Sequence, residues 1–182
     1  LWFTLLVAVI GGCMIWELSR MLGPEHERIA LPMGLLTAAA LWGATLIPAE
    51  AVLPVLIAPA IVGATQIQKD RLIYGFYAAA LMLACYGLIG LRVEHGLVWV
   101  AWLVLVVIAS DVAGYFVGRI VGGPKFWPKV SPKKTWSGTV GGWIAAAVIG
   151  VAFGGLPLAL MSIATAFAGQ MGDAAESAIK RH

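Results

Sequence analysis

The chain is a succession of long apolar runs broken at charged residues and at Pro or Gly. The runs fall at about 1–20, 30–47, 50–67, 71–91, 97–120, 138–154 and 157–179. Each is close to the roughly 20 residues that cross a bilayer as an α-helix. None alternates apolar with polar positions as a barrel strand would. A backbone in lipid must satisfy its hydrogen bonds within the segment or within a closed barrel. The pattern therefore predicts an all-α, polytopic integral membrane bundle of about seven transmembrane helices. Only Pro48-Ala49-Glu50 separates the second run from the third. That boundary predicts a helical hairpin, with one long broken helix as the alternative.

Composition agrees with the pattern. Of 182 residues, 61% are hydrophobic and 12% charged, whereas a soluble domain has about 45–50% and about 25%. Too few charges remain to cover a water-facing surface. The net charge of +3 would suggest nucleic acid in a soluble protein, but in a membrane protein the side on which the bases lie matters more, and no nucleic-acid partner is expected. Threading the seven runs through a bilayer sends Arg20, Arg28, Lys69, Arg71, Arg119, Lys125, Lys129, Lys133, Lys134, Lys180 and Arg181 to one side and only Arg92 to the other. By the positive-inside rule, eleven of twelve bases on one side place the loop 121–137 and the C-terminal end in the cytoplasm. Cys13 and Cys85 both lie in apolar runs, which points to neither a disulfide nor a metal cluster. No basic segment precedes the first apolar run, so a cleaved signal peptide is not expected.

The informative residues are those that lipid should exclude. A carboxylate near the middle of a spanning helix costs roughly 2.5–3.5 kcal/mol on insertion scales. Asp111 lies in the cytoplasmic half of the fifth run, and Asp173 and Glu176 lie toward the cytoplasmic end of the seventh, so the three carboxylates are expected at similar depth on the side where the bases gather. Asp173, Glu176 and Ser177 share one helical face with Gln170. The plainer account of Glu176 is a surface pair with Lys180, four residues on. The loop from Gly122 to Gly138 is the other concentration of polarity. Pro128 and Pro132 exclude a regular helix there, while Lys125, Lys129, Lys133 and Lys134 with the hydroxyls of Ser131, Thr135 and Ser137 supply donors and no carboxylate. Such a segment suits an oligoanion, and Thr135 or Ser137 can cap the following helix. A basic stretch that only holds anionic headgroups is the alternative.

Acids and lysines facing one another at one interface favour chemistry on phosphates, where acids hold Mg²⁺ and bases neutralise charge. Gly114-x-x-x-Gly118 is a helix-packing spacing. The three histidines, His26, His95 and His182, are scattered, and neither a Ser-His-Asp nor a Gly-x-Ser-x-Gly arrangement is present.

Three stretches carry a family resemblance: Ser110-Asp111-Val112-Ala113-Gly114-Tyr115-Phe116-Val117-Gly118-Arg119, then Pro128 to Gly138, then Gly169 to Arg181. In residues, order and spacing these resemble the phosphatidate cytidylyltransferase (CDP-diacylglycerol synthase) family. The resemblance is specific from about Leu91 onward and compositional before it, apart from Trp16-Glu17-Leu18. It implies a Mg²⁺-dependent transfer of the cytidylyl group of CTP to phosphatidic acid, giving CDP-diacylglycerol and pyrophosphate, and it leaves a second cation open. It implies that Asp173 is a metal ligand, that Asp111 is a second acid of a polar cavity open to the cytoplasm, and that Glu176 belongs to the catalytic set. Lys129, Ser131, Lys133, Lys134 and Thr135 would contact phosphates, with Arg119, Lys180 and Arg181 as supporting cations. The implied partners are CTP, phosphatidic acid and the bilayer, in a bacterial inner membrane, with a homodimer left open. Residues 1–68 are then expected to form N-terminal transmembrane helices and 69–182 a catalytic transmembrane region.

Two departures accompany the resemblance. Ser137 stands where many members have Glu. The family signature continues beyond the last residue here into a Lys-Asp pair, a His-Gly-Gly and an Asp-Arg-x-Asp, so a fragment trimmed at both ends and inactive alone is expected. Two other functions fit acids beside a basic loop: a CTP-dependent polyprenol or phytol kinase, and a non-enzymatic transporter using Asp111 and Asp173 as a cation relay.

Overall fold

The fold is helical apart from one small β-hairpin, and the computed structural model describes residues 1–67, 69–128 and 131–179. The chain divides into two compact units, Leu1–Glu94 and His95–His182. The first holds α1 (Trp2–Met21), α2 (Glu27–Ala44), α3 (Ala49–Gln66) and α4 (Arg71–Gly90), the last continuing into a π-helical turn at Leu91–His95. Helices α1 and α2 meet backbone to backbone: a Cβ on Gly12 or on Gly34 would lie 2.7 Å from the other residue's carbonyl oxygen. Lipid supplies no hydrophobic drive between helices, so close packing of small residues takes over that role. The core of this unit joins Val7 and Ala8 of α1, Leu41 and Ala44 of α2, Val52 and Leu56 of α3, and Met82, Cys85 and Ile89 of α4. Helix α2 ends at Ala44 and Pro48 begins α3 beside it, so this boundary is a helical hairpin and not one broken helix.

The second unit holds α5 (Leu97–Ile120), the strands β1 (Lys125–Trp127) and β2 (Ser131–Thr135), and α6 (Trp136–Ile179). The strands pair antiparallel, Lys125 opposite Thr135 and Trp127 opposite Ser131, with an irregularity between the two pairs. Helix α6 is not one straight rod. Its backbone leaves helical geometry at Gly154 and Gly155, the latter with φ +72°, and Pro157 follows. A positive φ of this kind is open to glycine at no steric cost. The resulting arms, residues 136–153 and 156–179, fold back antiparallel. A Cβ on Gly150 would lie 2.5 Å from the Ala159 Cα, and Trp143 reaches Gln170 across the pair. Helix α5 lies along the first arm, and Trp102 and Val106 of α5 join Ala146, Leu158 and Ala166 of the two arms in a second core.

Among the described residues, five helices are long and apolar enough to cross a membrane: α1, α3, α4 with its π-helical extension, α5 and α6. Helix α2, which carries Glu27 and Arg28 in its first turn, is outside this set. The protein is an all-α multi-pass membrane protein. The apolar run 97–120 coincides with α5, and the expected break between 154 and 157 falls on the kink in α6. The strands went unforeseen. Pro128 and Pro132 exclude a helix, and a three-residue strand paired with a five-residue one leaves almost no alternation to read.

Candidate active site

On α5, Asp111, Tyr115 and Arg119 recur every four residues and form one stripe. Beside it runs a second stripe of small residues, Ser110, Gly114 and Gly118, pressed against the start of α6. A Cβ on Gly138 would lie 2.5 Å from the Gly114 carbonyl oxygen and 3.2 Å from the Gly118 Cα. This close crossing brings α5, the β-hairpin and both arms of α6 around one cavity of about 600 Å³. Both stripes of α5 line it, together with Lys125 of β1, Lys133, Lys134 and Thr135 of β2, Gly138 and Thr139 of the first arm, and Gln170 and Asp173 of the second. Its size lies in the range of small-molecule sites. At 1.5 Å per residue, Arg119 stands about 12 Å along α5 from Asp111.

Asp111 and Asp173 are the two acids of the cavity, and they come from different helices. The Lys134 Nζ donates to Asp173 Oδ2 at 2.9 Å and to the Gln170 backbone carbonyl at 3.3 Å. An ammonium has three N–H donors, so a third remains for a ligand oxygen. Asp111 lies within electrostatic reach of both Asp173 and Lys134. With side chains 29% and 55% exposed, the Lys134–Asp173 pair contributes at most about 1 kcal/mol of stability. Its effect is to place the two groups, because it ties the hairpin to the second arm.

The start of α6 is capped by Thr135, whose Oγ1 accepts from the Gly138 N–H at 3.2 Å. The Ser137 hydroxyl donates to the Gly122 carbonyl. A hydroxyl has one proton, so in the 3.1 Å contact between Thr135 and Ser137 the Thr135 hydroxyl is the donor. Ser137 thereby ties the turn after α5 to the first turn of α6. Four residues beyond Asp111, the exposed Tyr115 hydroxyl accepts from Arg119 Nη1 at 2.9 Å, one turn further along the stripe.

Of the site residues expected from sequence, Asp111, Arg119, Lys133, Lys134, Thr135 and Asp173 line the cavity together. Ser131 and Glu176 are not among its lining residues. Ser131 opens β2 opposite Trp127, and Glu176 lies one turn beyond Asp173, half-buried. Lys129, Lys180 and Arg181 lie outside the described residues, and with them the expected Glu176–Lys180 pair. The structure adds Tyr115, Lys125, Thr139 and Gln170 to the cavity. Tyr115 was legible as the residue midway between Asp111 and Arg119. Gln170 was legible only as a neighbour of Asp173 on its face. Among the described residues, no group of three or more His, Cys, Asp or Glu is gathered closely enough to enclose a metal ion.

The sequence profile of the cytidylyltransferase family matches residues 1–182. The chain belongs to the cytidylyltransferase family. This family member is 37% identical over 134 residues to a phosphatidate cytidylyltransferase of Brucella suis, an alignment covering 67% of the chain and 48% of that protein. It is 37% identical over 97 residues to the phosphatidate cytidylyltransferase of Bacillus subtilis, covering 49% of the chain and 36% of that protein. The corresponding protein of Staphylococcus haemolyticus is 32% identical over 131 residues, covering 65% of the chain and 50% of that protein. The family member thus spans about half the length of the curated relatives it matches most extensively. No solved structure matches it.

Proposed function

We propose that the chain forms the phosphate-handling part of an enzyme that transfers the cytidylyl group of CTP to phosphatidic acid, giving CDP-diacylglycerol and pyrophosphate. The carrying observation is the convergence of Asp111 and Asp173 with Arg119, Lys125, Lys133 and Lys134 in one cavity. A site that only held anionic headgroups would gain nothing from two carboxylates, which repel phosphate. The similarity to proteins named phosphatidate cytidylyltransferase supports the same reading.

In this reaction an ionised phosphate oxygen of phosphatidic acid attacks the α-phosphorus of CTP. The new P–O bond forms as the bond from the α-phosphorus to the bridging oxygen breaks, and that oxygen leaves with its electron pair on pyrophosphate. The attacking oxygen is already anionic at neutral pH, so no protein nucleophile or general base is required. What the chain supplies is positioning and electrostatics. Lys125, Lys133 and Arg119 offset the charge of two phosphorylated substrates brought together, and the remaining donor of Lys134 reaches a phosphate oxygen. Tyr115 accepts a hydrogen bond from the Arg119 guanidinium.

Two carboxylates in one cavity, without a third protein ligand among the described residues, suit a hard cation that completes its shell with water and substrate phosphate. Asp111 and Asp173 would hold that Mg²⁺, which when bound neutralises charge developing on the pyrophosphate. Lys129, Ser131, Glu176, Lys180 and Arg181 keep their assignment from family resemblance alone. Arg119, Lys125, Lys133 and Lys134 gather at one end of the unit, and the positive-inside rule puts that end in the cytoplasm, where CTP is made available.

The test is incorporation of label from CTP into a chloroform-soluble liponucleotide by the full-length protein in detergent. Label should enter lipid only with phosphatidic acid and Mg²⁺ present, with release of pyrophosphate. No incorporation by a well-folded preparation would refute the proposal, and release of CDP would replace it with phosphoryl transfer. Asp173→Asn, which removes the charge with little change of shape, should lower turnover by about 100-fold or more. Unchanged turnover and Mg²⁺ dependence would remove Asp173 from the metal site.

A further inference from the structure

Gln170 is the one long polar side chain of the cavity wall that is buried, at 8% exposure, and the reaction described above does not use it. Its Oε1 accepts from Trp143 Nε1 at 3.0 Å, and its Nε2 lies 3.5 Å from the Thr139 carbonyl. Both partners belong to the first arm of α6, while Gln170 belongs to the second. Its own backbone carbonyl accepts from Lys134, the residue paired with Asp173 one turn further along. The space it occupies is also defined from below. A Cβ on Gly142 would lie 3.1 Å from Gln170 Nε2 and 2.8 Å from the Ser110 carbonyl oxygen, so α5, the first arm and Gln170 meet at a point that admits no side chain.

The turn at Gly154-Gly155 and the close approach of Gly150 to Ala159 hold the two arms at their joined end, whereas toward the open end an apolar seam of small residues lets them rotate or splay at little cost. Directional hydrogen bonds resist this: a displacement of about 1 Å takes Gln170 beyond bonding range of Trp143 and Thr139 and leaves buried donors unpaired. We infer that Gln170 is the positioning residue of this site, locking the register of the two arms so that Asp173 and Lys134 stand opposite Asp111. Gln170 touches no reacting atom in this assignment. It acts through Asp173 and Lys134. The consequence for turnover rests on the function proposed above, whereas the register itself does not.

The register can be read without substrate. Lys134 Nζ and Asp173 Oδ2 are in direct contact, so a carbodiimide should join them in the full-length protein as an amide, seen as a 134–173 linked peptide by mass spectrometry. Gln170→Met keeps the side-chain length and removes both hydrogen-bonding atoms. Trp143→Phe removes the same bond from the opposite side and serves where Gln170→Met does not fold. Either variant, at an unfolding midpoint near that of the wild type, should lower the yield of the linked peptide several-fold and the turnover number by roughly tenfold or more. The double variant should be no worse than Gln170→Met alone, because both changes break one interaction. Wild-type yield of the linked peptide in folded variants would overturn the inference, as would a wild-type protein that forms no link. A wild type that forms the link but transfers no cytidylyl group would refute the proposed function and leave the register assignment standing.

Discussion

Gly138→Ala tests whether the crossing of α5 with α6 sets the site. The added Cβ would lie 2.5 Å from the Gly114 carbonyl oxygen and 3.2 Å from both the Gly118 Cα and the Thr135 Oγ1. An ordinary contact begins near 3.4 Å, so the two helices must separate by about 1 Å, and the atoms that resist are backbone, which cannot rotate away. Overpacking of this kind costs about 1–3 kcal/mol. Alanine's better helix propensity returns at most about 1 kcal/mol. The expected net loss is therefore on the order of 1–2 kcal/mol, read as a lower unfolding midpoint in detergent. The larger effect falls on turnover. Asp111 rides on α5 and Asp173 on the second arm, and a displacement of about 1 Å between reacting groups can cost about 100-fold. Gly87→Ala in α4, where an added Cβ has no neighbour within 4 Å, is the matched control and should be neutral or stabilising. If Gly138→Ala retained both the wild-type midpoint and the wild-type rate of CTP incorporation, the close crossing would not be what positions the acids.

Two further substitutions probe separate supports. Thr135→Val deletes the hydroxyl that caps α6 and contacts Ser137. It should cost about 1 kcal/mol in denaturant titrations, whereas Thr135→Ser should stay near wild type; equal losses for the two would show that the hydroxyl does not act as the cap. Ser162→Ala leaves the Trp102 indole N–H, bonded at 3.0 Å to Ser162 Oγ, without its partner inside the core and should lower stability by about 1–3 kcal/mol. Adding Trp102→Phe should then recover part of that loss, and a purely additive double variant would count against the pairing.

Much of the scaffold was legible because lipid imposes a coarse rule: an apolar run long enough to span becomes a helix, and Pro or Gly ends it. The run 97–120 and the break at Gly154-Gly155 follow from that rule directly. The acids were legible for the opposite reason, since Asp111 and Asp173 are costly where they stand. Their meeting in one cavity was implied by the family resemblance and not by the pattern itself, because it depends on which face of α5 meets which face of α6, where glycines at 114, 118, 138 and 142 allow the close approach. Gln170 illustrates the same limit. Its neighbour Asp173 is conspicuous as a charge, but the value of the amide lies in Trp143 and Thr139, about thirty residues earlier on the other arm. Ser131 and Glu176 differ in kind: their polarity and spacing are plain in the sequence, and they are not among the lining residues of the cavity, so their roles rest on the family resemblance.

The kink at Gly154-Gly155 also bears on how the protein is made. Lys134 lies two residues before the first arm and Asp173 toward the open end of the second, while the arms are joined at the other end by a few residues, roughly 27 Å away at the helical rise. The arms can therefore enter the bilayer as a pair, with each covering the polar atoms of the other during insertion. Lys134 cannot find its partner until the second arm has been synthesised to residue 173. The part of the cavity wall made by Gly138, Thr139, Gln170 and Asp173 is then closed by a short local turn, at small chain-entropy cost, as soon as the ribosome has released the arm that carries the acid.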